Sequence, residues 1–471
     1  MRRAKIVCTL GPATTDHEVL RQLVDAGMDV ARLNMSHGTH ADMEQLIASL
    51  RRIEEESGHA IAVLVDLQGP KIRTGTFADG PVELEPGQRF TITTREVGGD
   101  ATEVGTTYPG LAADVSAGDR LLVNDGAIQL RAVEVTDTDV RTEVLVGGPL
   151  SDHKGINLPG VEVSTPALTE KDAEDLRWAL GAGADLVALS FVRRPEDLEP
   201  VHAIMEELDN RVPVIAKVEK PQAVDRLEEI VEAFDGIMVA RGDLGVEMPL
   251  EDVPVVQKRA VELTRRRAKP VIVATQVLES MISSPRPTRA EASDCANAVL
   301  DGADAVMLSG ETSIGINPVE CVKVMTRIIE STEEHGLDRM RALGKLPHTV
   351  TGAVTAAAVE VGREVDAKAY VTFTTTGTSA RKLARTRPAE PVLAFTPHLR
   401  VRRQLALTWG LEAVLVPGPL GAMEGLFAQV DEALSLDERF TEGDRIIVVA
   451  GTPVGVPGSV NTLRVHSLAR P

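Results

Sequence analysis

The sequence predicts an α/β protein built on a parallel (β/α)₈ barrel. Short apolar runs, dense in β-branched residues, alternate with amphipathic stretches at helical spacing through most of residues 1–340. There are eight such runs, three before residue 70 and five after residue 170. Between these two groups, residues 71–165 lack helical periodicity. Eight strand–helix units are typical of a closed TIM-type barrel, although an open doubly wound sheet has the same rhythm.

The apolar runs give the predicted barrel strands and the segments between them give the helices. The strands are predicted at 4–11, 29–37, 60–69, 185–192, 213–220, 236–245, 270–277 and 305–312. Helices are predicted at 17–27, 170–183, 195–209, 221–234, 253–268 and 288–302, with one more after the second strand through about residue 57 and a last one through about residue 335. Because parallel strands share one direction, their carboxyl ends should meet at one rim, where barrel enzymes carry their functional groups.

Three regions are predicted. Residues 1–70 and 166–340 form the barrel, and residues 71–165, here called the insert, form a small β lid domain. The insert alternates as half-exposed strands do, and its Asn124-Asp125-Gly126 sequence predicts a tight hairpin turn. Residues 341–471 contain four further apolar runs with helical segments between them, which indicates a C-terminal α/β layer domain.

Composition limits the function classes. The net charge of −20 argues against a nucleic-acid partner, because phosphate backbones require a basic surface. The cysteines Cys8, Cys295 and Cys321 are far apart, so neither a disulfide framework nor a zinc site is expected. No apolar run is long enough for a bilayer and the N-terminus does not resemble a signal peptide, so we expect a cytoplasmic protein with no membrane partner.

Almost every predicted barrel strand ends in polar residues or is followed directly by them. In chain order they are Arg32, Asn34, Ser36 and His37; Asp66, Lys71 and Arg73; Lys217 and Glu219; Arg241, Gly242 and Asp243; Thr275 and Gln276; and Ser309 and Glu311. Each alone has a structural explanation, since Lys217 could be a barrel-end lysine, Glu219 its partner and Asp243 a helix cap. Their convergence on one rim is harder to explain structurally, because charges are rarely buried without partners.

The spacing of these residues indicates phosphoryl chemistry. Lys217 and Glu219 are two apart and should point to one face of their strand, as should Arg32, Asn34 and Ser36. Glu219 and Asp243, at the ends of adjacent strands, could hold Mg²⁺ or Mn²⁺. Cations and a metal around one anion are what phosphoryl transfer needs. The absence of a GxxxxGK[ST] sequence argues against a P-loop kinase.

At these residues the sequence resembles the pyruvate kinase family. The matching stretches are KIVCTLGPAT (5–14), ARLNMSHG (31–38), DLQGPKIRTG (66–75), KGINLPG (154–160), LTEKD (168–172), AKVEK (216–220), DGIMVARGDLGVE (235–247), the long block 269–312 and TTTGTSARKLARTRP (374–388). They occur in family order across nearly the whole chain, and the block 269–312 is the most specific. The resemblance implies transfer of a phosphoryl group from phosphoenolpyruvate to ADP, giving pyruvate and ATP, with two Mg²⁺ or Mn²⁺ ions per active site.

The resemblance also implies roles for the residues that bind phosphoenolpyruvate. Lys217 would stabilise charge on the transferring phosphoryl group and on the enolate oxygen, and Arg32 would contact the phosphoryl group. Glu219 and Asp243 would hold the metal ion that chelates phosphoenolpyruvate. The Gly242 backbone and Thr275 would bind the substrate carboxylate.

Further roles follow for the nucleotide and for protonation. Four residues would face ADP or ATP and its own Mg²⁺: Asn34, His37, Arg73 and Lys154. The enolate would be protonated through a water near Thr275, Ser309 and Glu311. The insert would be a lid that closes over the cleft and excludes water.

The C-terminal region carries a predicted effector site. Its loop residues are Thr374, Thr375, Thr376, Gly377, Thr378 and Ser379, followed by Arg381, Lys382, Arg385 and Arg387. Backbone N–H groups and hydroxyls there could hold a phosphate, although an N-capped helix explains the same residues. The family implies a phosphorylated allosteric effector and a homotetramer. The sequence leaves a sugar bisphosphate, a sugar monophosphate, AMP and a vestigial site as open alternatives.

One departure from the family concerns its K⁺ site, which matches Asn34, Ser36, Asp66 and the Leu67 carbonyl. This chain has Leu67 for the usual Thr, Gln68 for a basic residue and Lys71 for Glu. A lysine ammonium can stand where a monovalent cation would sit, so we predict that K⁺ is not required. The alternative is that Lys71 points to solvent and K⁺ still binds at Asp66. Lys220, where Asn is common, is a second departure.

Two other functions fit part of the pattern. A Mg²⁺-dependent barrel lyase or aldolase acting on pyruvate or phosphoenolpyruvate would use the same carboxylates without a nucleotide. A non-catalytic sensor of phosphorylated metabolites would use only the C-terminal region. The sensor has no use for the set Lys217, Glu219, Asp243 and Thr275, so an enzyme is expected.

Overall fold

An eight-stranded parallel sheet closes into a barrel in this computed structural model, which describes residues 2–340, 342–344, 349–418, 423–452 and 460–469. The barrel strands are β1 Lys5–Thr9, β2 Val30–Asn34, β3 Ala62–Asp66, β4 Leu186–Leu189, β5 Val214–Val218, β6 Gly236–Ala240, β7 Val271–Ala274 and β8 Ala305–Leu308. Each strand pairs with its neighbours in sequence order, and β8 pairs with β1 through Ala305 and Lys5. The barrel prediction is therefore confirmed, and the open sheet is excluded.

The barrel strands are buried on both faces, which explains their continuous apolar runs. One set of side chains fills the interior: Val7, Val30, Ala62, Leu64, Leu186, Ala188, Ile215, Met238, Ile272, Ala274, Ala305 and Met307. The other set packs outward against the surrounding helices. The barrel is therefore a filled core, and function is confined to its ends.

Helices separate the strands close to the predicted positions. The main ones are His17–Ala26, His40–Ser57, Glu170–Ala182, Glu199–Glu207, Val253–Arg266, Arg289–Asp301 and Pro318–Gly336. The predicted helix 221–234 is two helices, Pro221–Asp225 and Leu227–Ala233, and a short helix Arg241–Glu247, here called the rim helix, follows β6 directly. Within the described ranges, no helix is long and apolar enough to cross a membrane.

Local signals set where these helices begin and end. The Thr169 hydroxyl accepts from the Asp172 backbone N–H, and the Asp172 carboxylate accepts in return from the Thr169 N–H. This reciprocal pair satisfies two backbone donors that no helix turn can reach. At the other end of the same helix Gly183 has φ +86°, a left-handed conformation that glycine adopts without steric cost.

The insert forms its own β structure between β3 and β4. A six-stranded sheet has the spatial order Ile156–Asn157, Arg120–Val123, Ile128–Val135, Asp139–Val146, Arg89–Thr93 and Glu103–Gly105, and Val82–Leu84 pairs with Gly148–Leu150. Asn124 and Asp125 both have φ near +55°, so the predicted hairpin turn is present. A separate apolar core around Phe90, Leu121 and Val140 supports this sheet.

The C-terminal region contains a five-stranded sheet with helices on both faces. Its order is Leu411–Leu415, Val392–Thr396, Ala369–Phe373, Arg445–Gly451 and Val460–Ser467. Helices Val350–Glu364, Thr378–Ala384, Leu399–Leu405 and Met423–Ser435 accompany it. The strand Val460–Ser467 was not predicted, because it is an antiparallel edge strand made mostly of exposed and half-buried residues with no continuous apolar run.

The C-terminal region packs against the amino-terminal end of the barrel. Ala406 and Leu407 join the cluster of side chains inside the barrel. The buried Asp304 carboxylate, just before β8, accepts from the Trp409 backbone N–H at 3.0 Å and pairs with Arg387 at 3.1 Å. The carboxyl rim is therefore the end left open to the insert. The boundaries proposed between the three regions stay predictions, and residue 341 lies outside the described residues.

Candidate active site

A buried cluster of charges occupies the carboxyl rim of the barrel. The Asp66 carboxylate, 1% exposed, lies 2.6 Å from Arg32 Nε and 3.3 Å from Lys217 Nζ. Lys217 Nζ also lies 2.8 Å from Glu219 Oε1. Three strands, β2, β3 and β5, therefore bring together four of the residues that the sequence placed at this rim.

Strand register explains the meeting of Arg32 and Asp66. Arg32 pairs with Leu64 across β2 and β3, and Asp66 follows Leu64 by two residues, so both side chains point to one face. Arg32 is also opposite Thr9, the last residue of β1, whose hydroxyl accepts from Arg32 Nη1 at 2.8 Å. The guanidinium is thus fixed from two neighbouring strands.

Burial and pairing shift the pKa values of this cluster in opposite directions. Burial by itself would lower the pKa of Lys217, but Asp66 and Glu219 outweigh it and hold that pKa above its usual range. Burial would raise the pKa of Asp66, but Lys217 and Arg32 lower it. Burial raises the pKa of Glu219, with Lys217 opposing and the Asp243 carboxylate adding to the rise. Lys217 is therefore a fixed cation.

Ser190, just after β4, belongs to the same cluster and was missed by sequence analysis. Its hydroxyl lies 2.7 Å from Lys217 Nζ and donates to the Leu67 carbonyl at 2.6 Å. The next residue, Phe191, has φ +55° and its N–H donates to Glu219 Oε2 at 2.7 Å. The available signal was position, because Ser190 is the first polar residue after the fourth barrel strand.

Glu219 and Asp243 fit a divalent metal ion. The Asp243 carboxylate is close enough to raise the pKa of Glu219, yet it has no hydrogen bond or ion pair within the described part of the chain. No group of three or more His, Cys, Asp or Glu side chains in that part is arranged around a metal position. A metal ion here would take its other oxygen ligands from substrate and water, as Mg²⁺ typically does.

The structure brings Gly242 and Thr275 together at the ends of β6 and β7. The Gly242 N–H donates to the Thr275 hydroxyl at 2.7 Å, and that hydroxyl donates to the Ala274 carbonyl. Thr275 has φ +67°, which is strained for a β-branched residue. Arg241 holds the turn, because its Nη2 donates to the Thr275 carbonyl at 2.8 Å.

Ser309 and Glu311 follow β8. Glu311 is buried and accepts from the backbone N–H groups of Leu278 and Ser309 at 3.1 and 2.7 Å. Burial raises the pKa of Glu311. The Ser309 hydroxyl is buried and has no hydrogen-bond partner among the described residues.

The predicted nucleotide residues lie on two segments. Arg73 and Lys154 are neighbours at the base of the insert, where Arg73 bridges to Gly155 and the Thr74 N–H donates to the Lys154 carbonyl at 2.8 Å. His37 is exposed, beyond the end of β2. The expectation that Ser36 shares a strand face with Arg32 is wrong, because β2 ends at Asn34 and the Ser36 N–H turns back to donate to Asn34 Oδ1 at 3.2 Å.

The groups that match the family's K⁺ ligands are engaged with the protein. Asp66 faces Arg32 and Lys217, and the Leu67 carbonyl accepts from Ser190. Lys71 is exposed and forms no ion pair with Asp66 or any other described carboxylate, so the expectation that its ammonium stands at the cation position beside Asp66 is wrong. It lines a cavity between rim and insert with Asp243.

The predicted effector loop lies between Ala369–Phe373 and the helix that starts at Thr378. The Gly377 N–H donates to the Thr374 hydroxyl at 2.8 Å, and Arg381 Nη2 donates to the Thr376 carbonyl at 3.0 Å. Arg385 and Arg387 instead turn toward the barrel, where they donate to the Arg266 and Gly302 carbonyls. Of these three arginines, only Arg381 contacts the loop.

Fold and rim together define a barrel enzyme for an anionic substrate. The family models described as "Pyruvate kinase, barrel domain" and "Pyruvate kinase, alpha/beta domain" match residues 1–322 and 352–466. The chain belongs to the pyruvate kinase family, and it is therefore an enzyme, a phosphotransferase of glycolysis.

Relatives and a solved structure cover almost the whole chain. The pyruvate kinase of Corynebacterium glutamicum is 53% identical over 467 residues, which are 99% of this chain and 98% of that one. The pyruvate kinase of Mycobacterium tuberculosis strain H37Rv is also 53% identical with the same coverage. A crystal structure of a pyruvate kinase from Cryptosporidium parvum has TM-score 0.93 and 34% identity, covering 99% and 96% of the two chains. These matches support neither the lyase nor the sensor alternative.

Replacing Lys217 by Met should remove the fixed cation while leaving the barrel folded. We expect kcat for pyruvate formation to fall by at least about 10²–10³-fold, because a preorganised positive group is lost from the reacting centre. A lactate-dehydrogenase-coupled assay measures this. Lys258→Met, at an exposed lysine on an outer helix, is the control and should keep normal turnover. Unchanged kcat in Lys217→Met would refute the assignment.

Proposed function

We propose that this enzyme transfers the phosphoryl group of phosphoenolpyruvate to ADP without needing K⁺, using the buried cluster at the carboxyl rim. The observation that carries the proposal is the position of Lys217. Its ammonium is held between the Asp66 and Glu219 carboxylates, near Asp243, which has no partner among the described residues. A cation fixed beside two carboxylates is suited to an anionic substrate with a metal ion.

Lys217 and Arg32 act on the phosphoryl group. The bond between phosphorus and the enol oxygen breaks while a bond forms from phosphorus to a terminal oxygen of ADP. Negative charge then rests on the enolate oxygen and on the transferring group. Lys217 stabilises both, and Arg32, fixed by Asp66 and Thr9, holds the phosphoryl group in line.

Glu219 and Asp243 hold the divalent metal ion. When bound, the ion neutralises charge on the substrate oxygens. Glu219 is held in place by Lys217 and by the Phe191 N–H, so one ligand is already positioned. Asp243 would complete the protein's share of the coordination. A second metal ion would come with the nucleotide.

The Gly242 N–H and Thr275 receive the substrate carboxylate. In this structure the Thr275 hydroxyl accepts from Gly242, so binding exchanges one internal hydrogen bond for a charge-assisted one. Transfer leaves an enolate that takes a proton at carbon 3 to become pyruvate. The groups nearest to that task are Thr275, Ser309 and Glu311, acting through a water.

The insert serves as a lid that carries part of the nucleotide site. Arg73 and Lys154 are adjacent at its base, where the chain leaves and re-enters the barrel. Asn34 and His37 face them from the β2 end in the proposed complex. Closure would bring the two cations of the insert onto the ADP phosphates and exclude water. We further propose a cytoplasmic homotetramer, as the family suggests.

Independence from K⁺ follows from the charges around Asp66. Arg32 and Lys217 already neutralise this carboxylate, and the Leu67 carbonyl already accepts a hydrogen bond from the Ser190 hydroxyl. Lys71 adds a positive charge to the cavity that Asp243 lines. A further monovalent cation would therefore meet repulsion.

Turnover in tetramethylammonium or Tris buffer should lie within about twofold of turnover with added KCl, because Arg32 and Lys217 already neutralise Asp66 and Lys71 adds positive charge to the cavity that Asp243 lines. Lys71→Glu should make activity depend on KCl, with roughly tenfold or greater stimulation, because the substitution changes the local charge by two units, from positive to negative. Lys323→Glu, at an exposed lysine on a barrel helix, is the control. Strong stimulation of the unaltered enzyme by KCl would contradict the proposal.

The loop 374–379 is proposed to bind the phosphate of an allosteric effector. Its Thr, Ser and Gly residues and Arg381 support this. Differential scanning calorimetry with a sugar monophosphate, a sugar bisphosphate and AMP should show a rise in Tm with one of the three, because ligand that binds only the folded state stabilises it. No shift with any of them would favour a helix N-terminus without a ligand.

A further inference from the structure

Lys220 forms a buried ion pair directly beside the proposed metal site. Its Nζ lies 2.5 Å from Glu247 Oε1, and the two side chains are 12% and 1% exposed. Lys220 follows Glu219 at the end of β5, and Glu247 is the last residue of the rim helix. The pair therefore ties the end of β5 to the helix that follows β6.

The ion pair links the same two elements that the proposed metal ion would link. Lys220 is the residue after Glu219, and Glu247 lies four residues after Asp243 on the rim helix, which puts both carboxylates on one face of that helix. Two connections then join the same two elements. The ion pair is one, and the metal ion between Glu219 and Asp243 would be the other.

The pair is enclosed by its neighbours. Asn157, in the insert strand Ile156–Asn157, donates to the same Glu247 oxygen at 2.8 Å. The Phe191 ring lies 5.8 Å from Lys220 Nζ. Glu247 Oε2 is buried and has no hydrogen-bond partner in the described part of the chain. A carboxylate so buried depends on Lys220 for its charge balance.

We infer that Lys220 and Glu247 are positioning residues for the divalent metal ion: their ion pair fixes the distance between Glu219 and Asp243. The inference rests on the proposed function, since it takes Glu219 and Asp243 as the metal ligands. It gives Lys220, a departure from the family pattern, a role that the sequence did not reveal.

A positioning role and a purely electrostatic role of Lys220 predict opposite changes in the affinity for a divalent cation when its charge is removed. Removing the Lys220 charge makes the surroundings of Glu219 and Asp243 more negative, which by electrostatics alone would tighten binding of a divalent cation. If the ion pair instead holds the rim helix in place, its loss should weaken binding. Residues that orient metal ligands commonly contribute about 10–100-fold in affinity.

The test is Mn²⁺ binding to the substrate-free enzyme, followed by the loss of the free-ion electron paramagnetic resonance signal. Lys220→Met should raise the Kd for Mn²⁺ by about tenfold, and Lys220→Gln by less, because its amide can still donate to Glu247. Lys220→Arg, which keeps both charge and donor, should stay close to the unaltered enzyme. Lys323→Met is the matched control and should leave the Kd unchanged.

An unchanged or tighter Kd in Lys220→Met would overturn the inference. If that variant does not fold, Lys220→Gln takes its place: a raised Kd for Mn²⁺ supports the inference, and an unchanged or lower Kd overturns it. Glu219→Gln separates this result from the proposed function, since it should abolish Mn²⁺ binding at the rim. Binding that survives Glu219→Gln would refute the metal site itself and the inference with it, whereas lost binding there with normal binding in Lys220→Met refutes only the positioning role.

Discussion

Asp66 is the carboxylate on which the rim depends. It is almost fully buried, and it contacts both Arg32 and Lys217, which would otherwise be two like charges in a region with little water. Removing one partner of such a buried arrangement typically costs about 3–5 kcal/mol, because a charge is left uncompensated. With Glu219 and Asp243 the cluster holds two cations and three carboxylates, an excess of one negative charge. That excess lies with Glu219 and Asp243 and favours a cation between them, next to the fixed ammonium.

The amino-terminal end of the barrel contributes to stability, whereas the carboxyl rim carries the functional groups. At the amino-terminal end, Leu407 and Trp409 of the C-terminal region pack against the barrel, and Asp304 joins them to β8. At the carboxyl rim, the backbone takes strained conformations at Phe191 and Thr275. Such strain persists only where surrounding contacts enforce it, and here Glu219 and Arg241 supply those contacts. The strained turns hold polar groups in fixed directions around the charge cluster.

The sequence was sufficient for whatever depends on strand burial and strand order. Runs buried on both faces gave the eight strands, and a two-residue spacing correctly brought Lys217 to Glu219. It was insufficient where a turn sets the direction of a side chain. The turn after Asn34 removed Ser36 from its strand. The Lys220–Glu247 pair joins residues 27 apart on different elements, so only the fold could reveal it. The family match then shows the enzyme class, whereas K⁺ dependence, metal ligands and effector stay proposals.

The most direct test of this account is the position of the metal ion. Anomalous diffraction from crystals grown with Mn²⁺ and phosphoenolpyruvate would locate it without reference to activity. The account predicts one peak about 2.0–2.2 Å from carboxylate oxygens of both Glu219 and Asp243, with Lys217 on the phosphoryl side of the substrate. A peak coordinated by neither carboxylate, or phosphoenolpyruvate bound away from Lys217, would contradict it.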